Sequence, residues 1–142
     1  MNIMKIKALL MLGLGVLSGN LYAKDYLIST PNTSLLIAAV PGEKSKFQYY
    51  GCRIFEKDIQ GIYDSGLAFG LESYPVFGLN TPGERAMAVT HADGNMSLDL
   101  AVEEVKQYTS NEAEVTEIRM KDKVYPFVLK QIYKAYKGTD II

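Results

Sequence analysis

Serine-type hydrolysis needs a hydroxyl, an imidazole and a carboxylate in contact, and the 142 residues contain one imidazole, His91. It is followed at once by Ala92-Asp93-Gly94-Asn95, a turn sequence, and so reads as a turn or strand-end residue rather than a general base. Glycoside hydrolysis needs two carboxyl groups about 5–10 Å apart on a rigid scaffold. The candidate acids Asp58, Asp64, Glu72 and Glu84 lie in or beside a stretch with no firm period, and read as surface acids. Glu103 and Glu104 are adjacent, so a regular strand would point them to opposite faces. Tyr63-Asp64 is the one place where a ring able to stack on a sugar sits beside an acceptor; these two are the candidate sugar contacts. One histidine excludes a multi-histidine metal site. Cys52, the sole cysteine, excludes an intramolecular disulfide and reads as a buried, inert thiol. No nucleophile elbow, phosphate loop or dinucleotide fingerprint occurs. The residues therefore predict no catalytic group, no metal and no cofactor.

The elements that must carry these side chains read as strands. Residues 26–29 (YLIS) are short and end at Pro31-Asn32, and 33–40 (TSLLIAAV) form a nearly continuous apolar run that stops at Pro41-Gly42. Residues 46–53 (KFQYYGCR) alternate, and 54–71 read as a long glycine-containing loop whose aromatics argue against simple disorder. Further on, 86–91 and 96–105 flank Asp93-Gly94-Asn95, a strong hairpin signal. A polar turn at 109–112 introduces 114–121, where Ile118 and Met120 share a face and Val115 breaks the parity. The stretch 124–136 (VYPFVLKQIYKAY) favours strand over helix through its β-branched and aromatic content. Short strands with turns every ~8–12 residues predict an all-β antiparallel sandwich.

Before these strands, residues 1–23 combine two lysines, a ten-residue run of small and apolar residues and a terminal Leu-Tyr-Ala, the pattern of a cleavable export signal helix. The run is too short for a membrane span, which needs ~20 residues. Cleavage takes the formal net charge from −1 to −3 and leaves residues 24–142 as the mature chain, expected in the periplasm or outside the cell, with no membrane attachment. Mild acidity with interspersed signs excludes a nucleic-acid footprint. The closing Gly138-Thr139-Asp140-Ile141-Ile142 reads as a further strand beginning, so the sandwich is expected to be incomplete.

Several separated motifs carry a resemblance. Tyr74-Pro75-Val76-Phe77-Gly78, then Glu84-Arg85-Ala86-Met87-Ala88-Val89-Thr90-His91-Ala92-Asp93-Gly94-Asn95, resemble the N-terminal domain of glycoside hydrolase family 36 α-galactosidases. That family carries Tyr-Pro-x-(Phe/Tyr)-Gly and a strand ending in (Thr/Arg)-His-Ala-Asp-Gly-Asn. Met120-Lys121-Asp122-Lys123-Val124-Tyr125-Pro126-Phe127 and Tyr133-Lys134-Ala135-Tyr136 are similar to the same domain, notably in exported bacterial members, and the match extends back through Tyr49-Tyr50-Gly51. The resemblance implies a supersandwich-like β domain preceding a (β/α)₈ barrel. It implies retaining cleavage of terminal α-galactosides by two barrel aspartates, neither of which falls in this sequence. The expected partners are the barrel domain, an α-galactoside bound by the full-length enzyme, and other copies in a homo-oligomer. In some members a long loop of this domain reaches a neighbouring subunit's active site, but residues 54–71 lack a motif match to it. The chain alone is expected to be inactive; the competing reading is a stand-alone secreted carbohydrate-binding or structural module.

Overall fold

The computed structural model describes residues 24–76 and 85–142. The expected leader at 1–23 lies outside the described residues, as do Phe77, Gly78 and Glu84. Strands β1 (Asp25–Ser29), β2 (Thr33–Ala38), β3 (Lys46–Cys52) and β4 (Leu71–Glu72) form one sheet in that order. Strands β5 (Leu100–Thr109), β6 (Ala113–Asp122) and β7 (Val128–Tyr136) form a second, and every pairing is antiparallel. One core lies between them: Tyr26, Ile28, Leu35 and Ile37 from the first sheet meet Leu100, Val102, Ile118 and Met120 from the second. The register explains the choice, since Tyr26 faces Ile37 and Ile28 faces Leu35, which places all four on one side of the pleat. The chain is an all-β, sandwich-like fold, as its alternating patterns predict.

The apolar run 33–40 never alternates because β2 is covered twice. Leu36 and Ala38 point away from the shared core, with Asp25, Leu27 and Ser29 of β1 beside them, and Leu36 is nevertheless fully buried. The cover is the connection between β3 and β4. Its Ile54 N–H donates to Ser34 Oγ (3.1 Å), and its Phe69 and Gly70 N–H groups donate to the backbone and side-chain oxygens of Gln48. This connection is not the loop expected for 54–71. A 3₁₀ turn (Glu56–Asp58) runs into helix α1 (Ile59–Asp64), and its Ile62 is buried. Asp58 Oδ2 accepts the Phe55 N–H (2.9 Å), which fixes the entry.

The hairpin signal at Asp93-Gly94 marks a real turn without regular strands on either side. His91 C=O accepts the Gly94 N–H and His91 N–H donates to Asn95 C=O, while Gly94 sits at φ +84°, the conformation a three-residue hairpin loop needs at that position. Residues 86–91 and 96–99 are not strand. After the turn the backbone N–H groups of Asn95, Ser97 and Asp99 donate to side chains of Asp93, Asn95 and Asp122 instead of to a neighbouring strand. β5 accordingly starts at Leu100, four residues later than expected.

β5 carries a bulge between Val102 and Glu104 that leaves Glu103 out of the register, and Val102, still opposite Met120, exchanges hydrogen bonds on its other edge with Gly42 and Glu43 of the β2–β3 turn. The bulge corrects the expectation for Glu103 and Glu104: both are exposed and both meet Arg119, Glu103 as its ion pair and Glu104 opposite it in register. At the other end of β6, Val115 is buried despite its opposite parity, flanked by Tyr108 and Lys134, whose long side chains shield it on the outer face. The C-terminal residues are anchored, because Asp140 accepts hydrogen bonds from Thr30 Oγ1, Asn32 N–H and Asn32 Nδ2.

Candidate functional site

Tyr63 and Asp64 end helix α1, so consecutive positions turn them about 100° apart. The Tyr63 hydroxyl donates to Asp25 Oδ1 (2.7 Å), across the outer face of the first sheet, and Asp64 is exposed and accepts from Gln60 Nε2 (2.8 Å). Partial burial, reinforced by the hydrogen bond to Asp25, pushes the Tyr63 phenol well above its ordinary value. Burial likewise raises the Asp25 carboxyl, against the opposing effect of the Tyr63 hydroxyl. The pair works as a tie between helix and sheet.

Two further candidate acids are also committed. Asp58 closes the 3₁₀ turn and Glu72 pairs with Lys44. Cys52 corrects an expectation, being exposed rather than buried. It follows Gly51, where an added Cβ would stand 2.7 Å from the Tyr49 hydroxyl, and that hydroxyl folds back to donate to Cys52 C=O. The Tyr49-Tyr50-Gly51 motif thus has a local steric reason.

The structure does bring together two motifs about thirty residues apart in sequence. The ring of Tyr125 stacks on His91 with centroids 3.5 Å apart and planes inclined by 7°. Its hydroxyl donates to Asp93 Oδ2 (2.8 Å) and accepts from Asn95 Nδ2 (2.8 Å). His91 Nε2 lies 3.1 Å from the Ser97 carbonyl, so the ring closes the turn and faces no serine hydroxyl. Beneath it Asp122 accepts three backbone N–H groups, from Asp99 (2.6 Å), Val124 (2.9 Å) and Tyr125 (2.7 Å). Burial pushes the Asp122 carboxyl up, but those three donors outweigh it and hold the group below its ordinary value. Asp93 is held low by the Asn95 N–H and the Tyr125 hydroxyl, and Tyr125 is raised in turn by its bond to Asp93.

A depression of about 220 Å³ opens beside this knot, lined by Asn95, Ser97, Asp99, Asp122 and Tyr125 among others. Asp122 is engaged by backbone donors and Asp99 Oδ2 pairs with Lys123 at 3.1 Å, while Asp99 Oδ1 is buried without a hydrogen-bond partner among the described residues. The knot positions two chain segments; it assembles no nucleophile, base and oxyanion donor around a free volume. Its two halves were visible in sequence as motifs, whereas their contact was not, since it depends on how β5 and β6 are registered. Among the described residues no group of three or more metal-ligating side chains converges, and no helix is long and apolar enough to cross a membrane.

Comparison with known proteins gives a consistent frame. The glycosyl hydrolase family 36 N-terminal domain matches residues 42–142. Among solved structures, the α-galactosidase AgaA A355E of Geobacillus stearothermophilus, in complex with 1-deoxygalactonojirimycin, superposes with a TM-score of 0.69 at 17% identity, over 80% of this chain and 20% of that one. AgaB of the same organism gives 0.65 at 16% identity, over 81% and 20%. The α-galactosidase of Lactobacillus brevis gives 0.60 at 16%, over 79% and 19%. The chain spans about a fifth of the length of these structures. No curated protein is similar enough in sequence to count as a match.

Proposed function

Because the chain belongs to the glycosyl hydrolase family 36 N-terminal domain family, we propose that it serves as the non-catalytic β-sandwich of a larger, exported, retaining α-galactosidase. The observation that carries the reading is the family match over 42–142, together with neighbours that are α-galactosidases of which the match covers about 20%. In this reading the two aspartates that cleave terminal α-galactosides belong to a (β/α)₈ barrel encoded beyond this sequence. The sandwich contributes a rigid platform, with the Tyr125–His91 knot and the Asp140 clasp fixing its loops. No cofactor is required. Of the two proposed sugar contacts, Tyr63 has its hydroxyl committed to Asp25, so its ring face is what would stack on a pyranose, and exposed Asp64 would accept a sugar hydroxyl.

An antibody raised against residues 24–142 tests the proposal on the native protein. The exported fraction of the source cells should contain a reactive polypeptide several times longer than 142 residues that co-purifies with α-galactosidase activity. A reactive species no longer than this chain, separating from that activity, would instead favour the stand-alone secreted module.

A further inference from the structure

Asp93-Gly94 is a bond at which proteins age. An aspartyl carboxyl followed by glycine is open to attack by the next backbone nitrogen, because glycine has no Cβ to crowd the approach. The Gly94 amide nitrogen bonds to Cγ of the protonated Asp93 carboxyl, the amide proton and the carboxyl hydroxyl leave together as water, and a five-membered succinimide forms. A solvent water then opens the ring at either carbonyl, giving back aspartate or leaving an isoaspartyl link with one extra backbone methylene. One water leaves and one returns, so no other reactant is needed.

The turn is exposed, and solvent therefore reaches it, yet each participant in that attack is restrained. Asp93 Oδ1 accepts the Asn95 N–H (2.9 Å) and Oδ2 accepts the Tyr125 hydroxyl (2.8 Å), so both oxygens are fixed and the ionised carboxylate, from which water cannot depart, is favoured. The attacking nitrogen of Gly94 is itself occupied, donating to His91 C=O at 2.9 Å. The Tyr125 ring is held in turn by its stack on His91, and its backbone N–H is held by Asp122.

We propose that Asp93-Gly94 is a latent isoaspartate-forming site, and that the Tyr125 hydroxyl is the latch that keeps it closed in the folded chain. The latch spans two segments distant in sequence, so it exists only when the second sheet is assembled. Opening it by heat or partial unfolding exposes the bond to a modification that would lengthen the turn and separate Asn95 from Tyr125.

The test follows isoaspartate at position 93 by peptide mass spectrometry, in the full chain held at neutral pH and 37 °C for weeks. Folded chain should accumulate it at least about tenfold more slowly than the same chain in urea, the factor one charge-assisted hydrogen bond is worth. Folded Tyr125→Phe, which keeps the ring and loses only the hydroxyl, should accumulate it faster than wild type by a similar factor. Equal rates in folded and urea-unfolded wild type would overturn the proposal, and this comparison needs no variant. A folded Tyr125→Phe chain that ages no faster than wild type would overturn the assignment of the latch.

Discussion

The two sheets bury different numbers of faces. In β2 five of six positions are buried, because the shared core takes one face and the 3₁₀ turn and helix α1 lie over the other. In β7 only Ala135 is buried, and its outward residues alternate with half-buried ones. The outer face of the second sheet is laced with ion pairs instead: Arg119 with Glu103, Lys106 with Glu104, and Lys130 with Glu117. A continuous apolar run therefore marks a strand with two covers, and alternation broken by lysines marks a strand with one. The first sheet depends on the long β3–β4 connection for its second cover; the outer face of the second is open to solvent.

The sharpest way to break this comparison is to remove one side chain from each kind of face. Leu36→Ala empties a fully buried site under the connection and should cost about 4 kcal/mol in urea unfolding. Ile132→Ala, half exposed on the open face, should cost well under about 1 kcal/mol. Equal costs would mean that the connection does not seal the first sheet.

Next in size is Asp122→Ala, which leaves three backbone N–H groups without their acceptor and should cost about 3 kcal/mol. Asp122 is held below its ordinary value of 3.8, so its contribution is present above that pH and is lost as the pH falls further. Acid unfolding of wild type and of the variant should converge at low pH; parallel curves would contradict the assignment.

Tyr63→Phe is smaller, about 1 kcal/mol for one hydrogen bond. The Tyr63 phenol is raised above 10.0, so its contribution is full below pH 10 and is lost as the pH rises beyond it. The variant should melt with a weaker decline in alkali than wild type. Smallest of all is Lys130→Ala, which removes a half-exposed lysine from Glu117, still held by the Tyr108 hydroxyl, and should leave the urea midpoint unchanged within error.

Part of the fold was legible in the residues. The span 33–40 was readable as a strand, though not as one covered on both faces, and of 124–136 the part from Val128 proved strand rather than helix, as its β-branched and aromatic residues favoured. Helix α1 was missed because six residues containing Gly61 are too few to display a 3.6-residue period. The strand expected from 96 is absent before Leu100 for another reason: Asp93, Asn95 and Asp122 capture the backbone donors of Asn95, Ser97 and Asp99 that a ladder would use, and 86–91 is left without a partner strand there among the described residues. The bulge at Glu103-Glu104 and the exposure of Cys52 depend on pairing across the sheets, which no local pattern encodes. Tyr63-Asp64 drew notice as a ring beside an acceptor, but the partner of its hydroxyl, Asp25, lies 38 residues away.

In the proposed role this chain supplies scaffold rather than chemistry. The direct measurement is release of 4-nitrophenol from 4-nitrophenyl α-galactoside by the purified 24–142 chain at micromolar concentration. The expected rate is indistinguishable from buffer; steady turnover that scales with the amount of chain would contradict the scaffold role.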